Sequence, residues 1–316
     1  MAESQFSIEK EILPIRWNGG RMSRKIIWIA ITVIAVVAGS ILLYNMFYRE
    51  RESQAVVEEF EEYTGTHYKI SDNYSLPGHK SMNEIAREEG VMDKADELCD
   101  ALNGSEYFTY YEVYDKLLQY EGNYDMGYAF LHGPRGLTEE EMDDVIHQKA
   151  LSGEEIILLT NIKGMFIGEK AFDQLLSLRD HITEGKGFEP EDFIFDDVVN
   201  VVLGSEYKEF YDIGDRIVVH YICEPIELNV IGFLDDSAAV DIGNIHVNLS
   251  TFIVVPSFKI VSQEKKGQYF NVAHSLFRAS GIIEINDNVD IKTALSACDD
   301  MFSKSGLDYW YFQLGG

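Results

Sequence analysis

Hydrophobic positions along this chain fall into one long block followed by many short ones. From Ile26 to Tyr44, 19 consecutive residues carry no charge. At about 1.5 Å rise per residue, a helix of that length nearly spans a hydrocarbon core of roughly 30 Å. A backbone inside lipid must satisfy its own hydrogen bonds, which makes the segment a helix there. Trp28 near one end and Tyr44 and Tyr48 at the other fit the aromatic belts of a bilayer. The pattern predicts a transmembrane helix over 24–48, preceded by a mixed segment 1–23. The competing reading is a cleaved secretory signal. It fits less well, because the run is long and no small-x-small cleavage site follows it.

Beyond the block the apolar positions become periodic. Helical spacing predicts helices over 49–63, after Ser81, over 91–102, over 138–149, over 168–180 and over 289–302. Ser81 with Glu84, and Thr138 with Glu141, have the capping-box spacing, and Asn103-Gly104 is a stop signal. Runs of β-formers predict strands over 107–114, 124–131, 155–160, 198–203, 216–221, 226–234, 252–255, 282–285 and 309–314. The stretch around Asn73, Pro77 and Gly78 reads as loop, and 184–188 as a turn. Helices and short strands alternate without a regular βαβ period, so the class is α+β.

Charge sharpens this picture. The 316 residues include 26 basic and 54 acidic side chains, a net of −28. Residues 1–48 hold five basic and three acidic groups, which leaves 21 basic and 51 acidic beyond them, a net of −30. So acidic a surface argues against a nucleic-acid partner and against lying flat on anionic lipid. Lys10, Arg16, Arg21, Arg24 and Lys25 precede the apolar run, while Arg49 and Arg51 after it are mixed with Glu50 and Glu52. The positive-inside rule then places the N-terminus in the cytoplasm and the rest of a single-pass plasma-membrane protein outside the cell.

Candidate chemistry is sparse. No zinc-protease, nucleophile-elbow, Walker or dinucleotide-binding pattern is present. His132-Gly-Pro-Arg135 could hold an anion on a tight turn, but Gly-Pro alone demands a turn. Asp235, Asp236, Asp241 and His246 could gather around a cation, but they lack a calcium-loop spacing and read better as an acidic loop. Cys99, Cys223 and Cys298 are odd in number and far apart, with no metal spacing and no assignable bridge. The glycosylation sequons at Asn73, Asn103 and Asn248 are short enough to arise by chance. No catalytic residue, cofactor or metal ligand is assigned.

Residues 181–256 carry a series of short signatures. His181-Ile-Thr-Glu-Gly185-Lys186-Gly-Phe188 with Glu191-Asp192 is followed by Val199 to Leu203-Gly204 and by Ile213-Gly214-Asp215-Arg-Ile217. After these come Glu227-Leu-Asn-Val230-Ile-Gly232 and Ile253-Val-Val-Pro256. The series resembles the extracytoplasmic domain of MacB/FtsX-type ABC transporter permeases, including the single preceding membrane helix. Lys186 stands where that family usually has arginine.

The resemblance implies a porter-like α+β subdomain over 49–180 and 270–316, interrupted by a small, mainly β subdomain over 181–269. It also implies an extracytoplasmic domain that couples motion from a cytoplasmic ATPase to outside partners. The family's later membrane helices do not follow, so the expectation is a truncated or divided permease or a stand-alone anchored relative. Implied partners are the bilayer through residues 24–48, and ABC permease and ATPase subunits or a second copy of the chain. An anchored ligand- or partner-binding module is the alternative, and an anchored hydrolase the third.

Overall fold

The computed structural model describes residues 66–74, 76–132, 147–152, 155–262 and 264–315. Every described residue belongs to one compact unit, Tyr63–Gly316. The predicted membrane helix over 24–48 and the helix over 49–63 lie outside the described residues. Among the described residues, no helix is long and apolar enough to cross a membrane.

This unit is built from a helix-backed sheet and a barrel. The sheet contains β1 (His67–Asp72), β2 (Phe108–Tyr111), β13 (Ile282–Ile285) and β14 (Tyr309–Gln313), in the order β14-β1-β13-β2 with every pair antiparallel. In chain order this is the 4-1-3-2 arrangement of a split βαβ sandwich. Four helices accompany it: α1 (Met82–Ile85), α2 (Val91–Asn103), α3 (Gln268–Arg278) and α4 (Ile291–Ser305). One face of the sheet buries Tyr68, Ile70, Tyr110, Ile283 and Tyr309 with Ala95, Leu98, Leu276, Ala294 and Phe302 from the helices. The capping box at Ser81 forms, Asp290 caps α4 by accepting from the Thr293 N–H at 3.0 Å, and Gly306 ends α4 at φ 66°.

Between β2 and α3 the chain makes a closed sheet. Its ring consists of β3 (Val113–Glu121), β5 (Glu155–Ile167), β12 (Ile253–Pro256), β7 (Val198–Leu203), β9 (Glu224–Leu234) and β8 (Arg216–Tyr221). Closure comes from β12 running parallel to β5, with Ile253 opposite Gly164. The seam between β8 and β3 is the weakest, with Gln119 opposite His220 as its single register pair. β4 (His147–Ser152) lengthens the sheet beside β5, and β6 (Ile182–Gly185) pairs with β9. A separate hairpin joins β10 (Ala239–Ile242) to β11 (Ile245–Asn248). Gly185 and Gly204 hold the walls together at close range. A Cβ at Gly185, which has φ 75°, would lie 2.1 Å from the Ile231 carbonyl oxygen, and one at Gly204 2.1 Å from that of Leu249.

Several sequence expectations are corrected. The chain enters the barrel at Val113, not at residue 181, so the stretch expected in the α+β subdomain from 113 to 180 supplies β3, β4 and β5 instead. The strand expected over 124–131 is a 3₁₀ turn, Tyr128–Phe130, because Gly122 and Gly127 turn the backbone to φ 95° and 96°. The helix expected over 168–180 is broken into a π turn, Ala171–Leu175, and a 3₁₀ turn, Leu178–His181. Ser177 at φ 50° separates them, which lets Phe172, Leu176 and Leu178 all reach one core. Of the acidic helix expected over 138–149, residues 147–149 belong to β4 and the rest lies outside the described residues. β1 and α3 were not foreseen.

Candidate functional site

The chain crosses between sheet and barrel twice, and one buried polar cluster holds both crossings. Glu112 is the single residue between β2 and β3. Its carbonyl accepts from the Gly168 N–H at 2.8 Å, while the Ser257 N–H, just after β12, donates to the Ile167 carbonyl at 2.9 Å. Arg278, the last residue of α3, grips the Glu112 carboxylate with Nη2 to Oε1 at 2.9 Å and Nε to Oε2 at 3.1 Å. Ser257 Oγ donates to the same Oε2 at 2.5 Å, and Tyr114 Oη lies 3.1 Å from Ser257 Oγ. Arg278 Nη1 is 3.5 Å from Asp96 Oδ1, and the Tyr110 hydroxyl donates to the Arg278 carbonyl. Lys69 on β1 donates to the carbonyls of Val113 at 2.6 Å and Ser280 at 2.8 Å, joining the sheet to the start of β3 and the chain after α3.

Electrostatics follow from burial and pairing. Arg278 and Glu112 are only 8% and 9% exposed. Burial works against the guanidinium charge, but Glu112 beside it wins and holds Arg278 above the usual arginine range. Burial raises Asp96, against the pull of Arg278. Burial also brings the Lys69 ammonium down to about 8. A cavity of about 220 Å³ opens beside the cluster, lined by Asn103, Tyr110, Glu112, Lys170, Ser257 and Arg278. Both Glu112 oxygens accept charged or hydroxyl donors, so the cluster ties the two substructures together.

The residues singled out by sequence do not converge on this cavity. His132 is half-buried, its backbone N–H donates to the Asn161 carbonyl at 2.9 Å, and burial depresses its imidazolium; Arg135 lies outside the described residues. Asp235 pairs with His181 at 3.1 Å, whereas Asp241 pairs across the exposed hairpin with His246 at 3.4 Å, and Asp236 is exposed. Among the described residues, no group of three or more His, Cys, Asp or Glu side chains could hold a metal ion.

His181, Asp235 and Ser237 look at first like a hydrolytic triad. Asp235 and Ser237 Oγ both approach the same ring nitrogen, Nδ1, at 3.1 and 3.3 Å, and Ser237 Oγ donates to Asp235 at 2.7 Å. A serine relay needs the acid and the serine on opposite nitrogens.

Neither a protein-family model nor a curated protein sequence matches the chain. Among solved structures, it is similar to the extracellular domain of the noncanonic ABC-type transporter YknZ from Gram-positive bacteria. Identity is 14% and the TM-score 0.35, over 78% of this chain and 100% of that one. A likeness at that level carries no argument about function.

Glu112, Ser257, Arg278 and Lys69 were missed by sequence reasoning. One signal was available: Glu112 is the lone acid in the β-forming stretch from Tyr107 to Tyr114. The three cysteines are free; Cys99 and Cys298 are buried and Cys223 is exposed at the turn between β8 and β9. Burial pushes the Cys298 thiol up to about 12 and raises Cys99 further. A maleimide or aromatic disulfide reagent is therefore expected to modify one thiol in the native chain, lost in Cys223→Ser, and three only after denaturation. Modification of two or more native thiols, counted by intact mass, would contradict the burial of Cys99 and Cys298.

Proposed function

We propose that this chain is a membrane-anchored extracytoplasmic domain that works with an ABC-type export system through protein contacts and transmitted motion, not through catalysis. The observation that carries the reading is the route of the chain. It enters the sheet at His67 and finishes its last described strand at Gln313, on neighbouring strands, with Tyr68 opposite Gln313. The Leu314 N–H donates to the His67 carbonyl at 2.9 Å, so both ends leave by one end of the sheet. The barrel is inserted far from these ends in sequence, between β2 and α3. A force applied where the described strands β1 and β14 leave the sheet reaches the barrel through the crossings at Glu112 and Ser257, which the Glu112 carboxylate joins to each other and to Arg278. The uncharged run from Ile26 to Tyr44, with basic residues before it, supports an anchor at that end.

The test is to cross-link the full chain in its native membrane and identify what is recovered with it. An ABC permease and ATPase at stoichiometric level are expected. Recovery of the chain alone or only with copies of itself would sink the transporter reading and favour an anchored binding module.

A further inference from the structure

The ring of the barrel has one poorly paired joint, between β3 and β8. Along β3 the even residues bond to β5: the Gly168 N–H donates to the Glu112 carbonyl and the Gly122 N–H to the Leu158 carbonyl, each at 2.8 Å, at the two ends of the shared register. By antiparallel alternation, the odd residues Val113 to Glu121 turn their backbone groups the other way, toward β8. Lys69 takes the Val113 carbonyl, and Gln119 pairs with His220. Continuing that register puts Leu117 opposite Ile222, where the hairpin of β8 and β9 has already turned, so β3 runs on past its neighbour. On the other side Glu121 would face Val218, but no strand pair forms there among the described residues, and only the His220 ring approaches Glu121, at 3.8 Å. Leu117 and Val218 are both exposed.

Helix α3 touches both sides of this joint. At its start it grips the hairpin. Glu224 accepts from the Gly267 N–H, the cap of α3, at 2.8 Å, and Lys266 donates to the Pro225 carbonyl at 2.6 Å. Phe270 meets Tyr221 edge-on at 5.7 Å, and His274 lies 3.1 Å from the Tyr221 hydroxyl. At its end α3 grips β3. Lys116 Nζ stands 3.6 Å over the Phe277 ring, and Arg278 holds Glu112, the residue before β3. Side chains of one helix thus supply what the ladder lacks.

We propose that the barrel opens at the joint between β3 and β8, by a swing of the β8–β9 hairpin, and that α3 is the strap that holds it shut. Local opening starts where the fewest backbone bonds must break. One register pair joins β3 to β8, against nine between β3 and β5 and six between β8 and β9. The hairpin can therefore leave β3 with its own ladder intact. Its departure uncovers Val219 and Tyr221, 0% and 1% exposed in the closed barrel. Three residues separate α3 from β13, so a displacement of the sheet reaches the strap directly. The inference rests on the joint and its strap and not on the transport reading. A barrel that stays shut in a chain that recovers a permease would defeat only the strap, and an opening joint in a chain that recovers none would defeat only the transport reading.

The experiment is maleimide trapping of buried thiols in the native full chain in detergent, on a Cys223→Ser background. Val219→Cys on β8 and Val201→Cys on β7 make the same small change at two positions of the barrel core, both 0% exposed. Val219→Cys is expected to react about tenfold faster or more, because the opening uncovers it and leaves Val201→Cys covered. Glu224→Ala releases the start of the strap and is expected to raise the Val219→Cys rate about threefold or more. The buried native thiols Cys99 and Cys298, on α2 and α4, report global unfolding in the same sample, and their rates are expected to stay unchanged. A disulfide between Gln119→Cys and His220→Cys, the opposed pair of the joint, is expected to bring the Val219→Cys rate down to that of Val201→Cys. Equal rates at the two valine positions, a Glu224→Ala effect shared by Cys99 and Cys298, or a tethered joint that leaves Val219→Cys as reactive as before would each overturn the proposal.

Discussion

Arg278→Met is expected to destabilise the domain by about 3–5 kcal/mol, read as a fall in the urea midpoint at neutral pH. The reason is the charge left behind. Glu112 is buried, and its carboxylate is satisfied by the guanidinium and by Ser257 Oγ. Methionine fills the volume of the arginine stem but leaves the carboxylate unpaired. Asp96, 3.5 Å from the other arm of the guanidinium, loses its counter-charge in the same step. Arg278→Lys is expected to fall between, since one ammonium cannot reproduce the two-point grip.

The double variant Glu112→Gln/Arg278→Met removes the principal unpaired charge and is expected to recover much of the loss, because a buried pair contributes little beyond an apolar replacement of similar shape. Protease susceptibility at the crossing after Ser257 should rise in the single variant and not in the double. An Arg278→Met variant within 1 kcal/mol of wild type would show that the cluster does not lock the junction.

This lock explains much of what sequence could and could not supply. Strands with a clear period of two were legible: β7, β8 and β9 lie where Val, Ile and Leu alternate or run together. The helix ends at Ser81 and Asn103 follow local chemistry that a capping rule can read. Barrel closure was illegible because it rests on β12 lying beside β5, a pairing between segments distant in sequence. α3 was hidden because its inward positions include Asn271, His274, Ser275 and Arg278. Those polar side chains interrupt the apolar positions Phe270, Ala273, Leu276 and Phe277, so the buried face reads as mixed. β1 was hidden because only Tyr68 and Ile70 of six residues face the core, between polar neighbours. Both concealed elements bear on the junction, through Arg278 and Lys69. Polar residues committed to a buried network look like surface in one dimension.

The second large effect is a pH dependence set by His274. This residue is fully buried on α3, stacked on Phe258 at 4.2 Å and flanked by Phe270, Tyr221 and Phe166. Its Nε2 lies 2.7 Å from the Phe258 carbonyl and its Nδ1 3.1 Å from the Tyr221 hydroxyl. A neutral ring with the proton on Nε2 satisfies both, donating to the carbonyl and accepting from the phenol. Burial drives its pKa down to about 3; the Phe258 carbonyl resists that shift and the nearby Arg278 charge adds to it.

Between about 3 and the ordinary value of 6.5, the unfolded chain therefore holds a proton on His274 that the folded chain refuses. Stability contributed by the neutral ring is complete above pH 6.5 and is lost as the pH falls toward 3, by on the order of 4 kcal/mol. His274→Phe keeps the stacking but leaves the Tyr221 hydroxyl and the Phe258 carbonyl unpaired, a cost of about 1–3 kcal/mol at neutral pH. That cost does not grow with acid. The two stability curves are thus expected to converge and cross between pH 6.5 and 3, with the variant the more stable on the acid side. Carboxylate titrations common to both chains cancel in the difference. Urea melts from pH 7.5 down to 3.5 measure that difference directly, and a difference that stays constant with pH would mean that His274 does not enter the folded core uncharged.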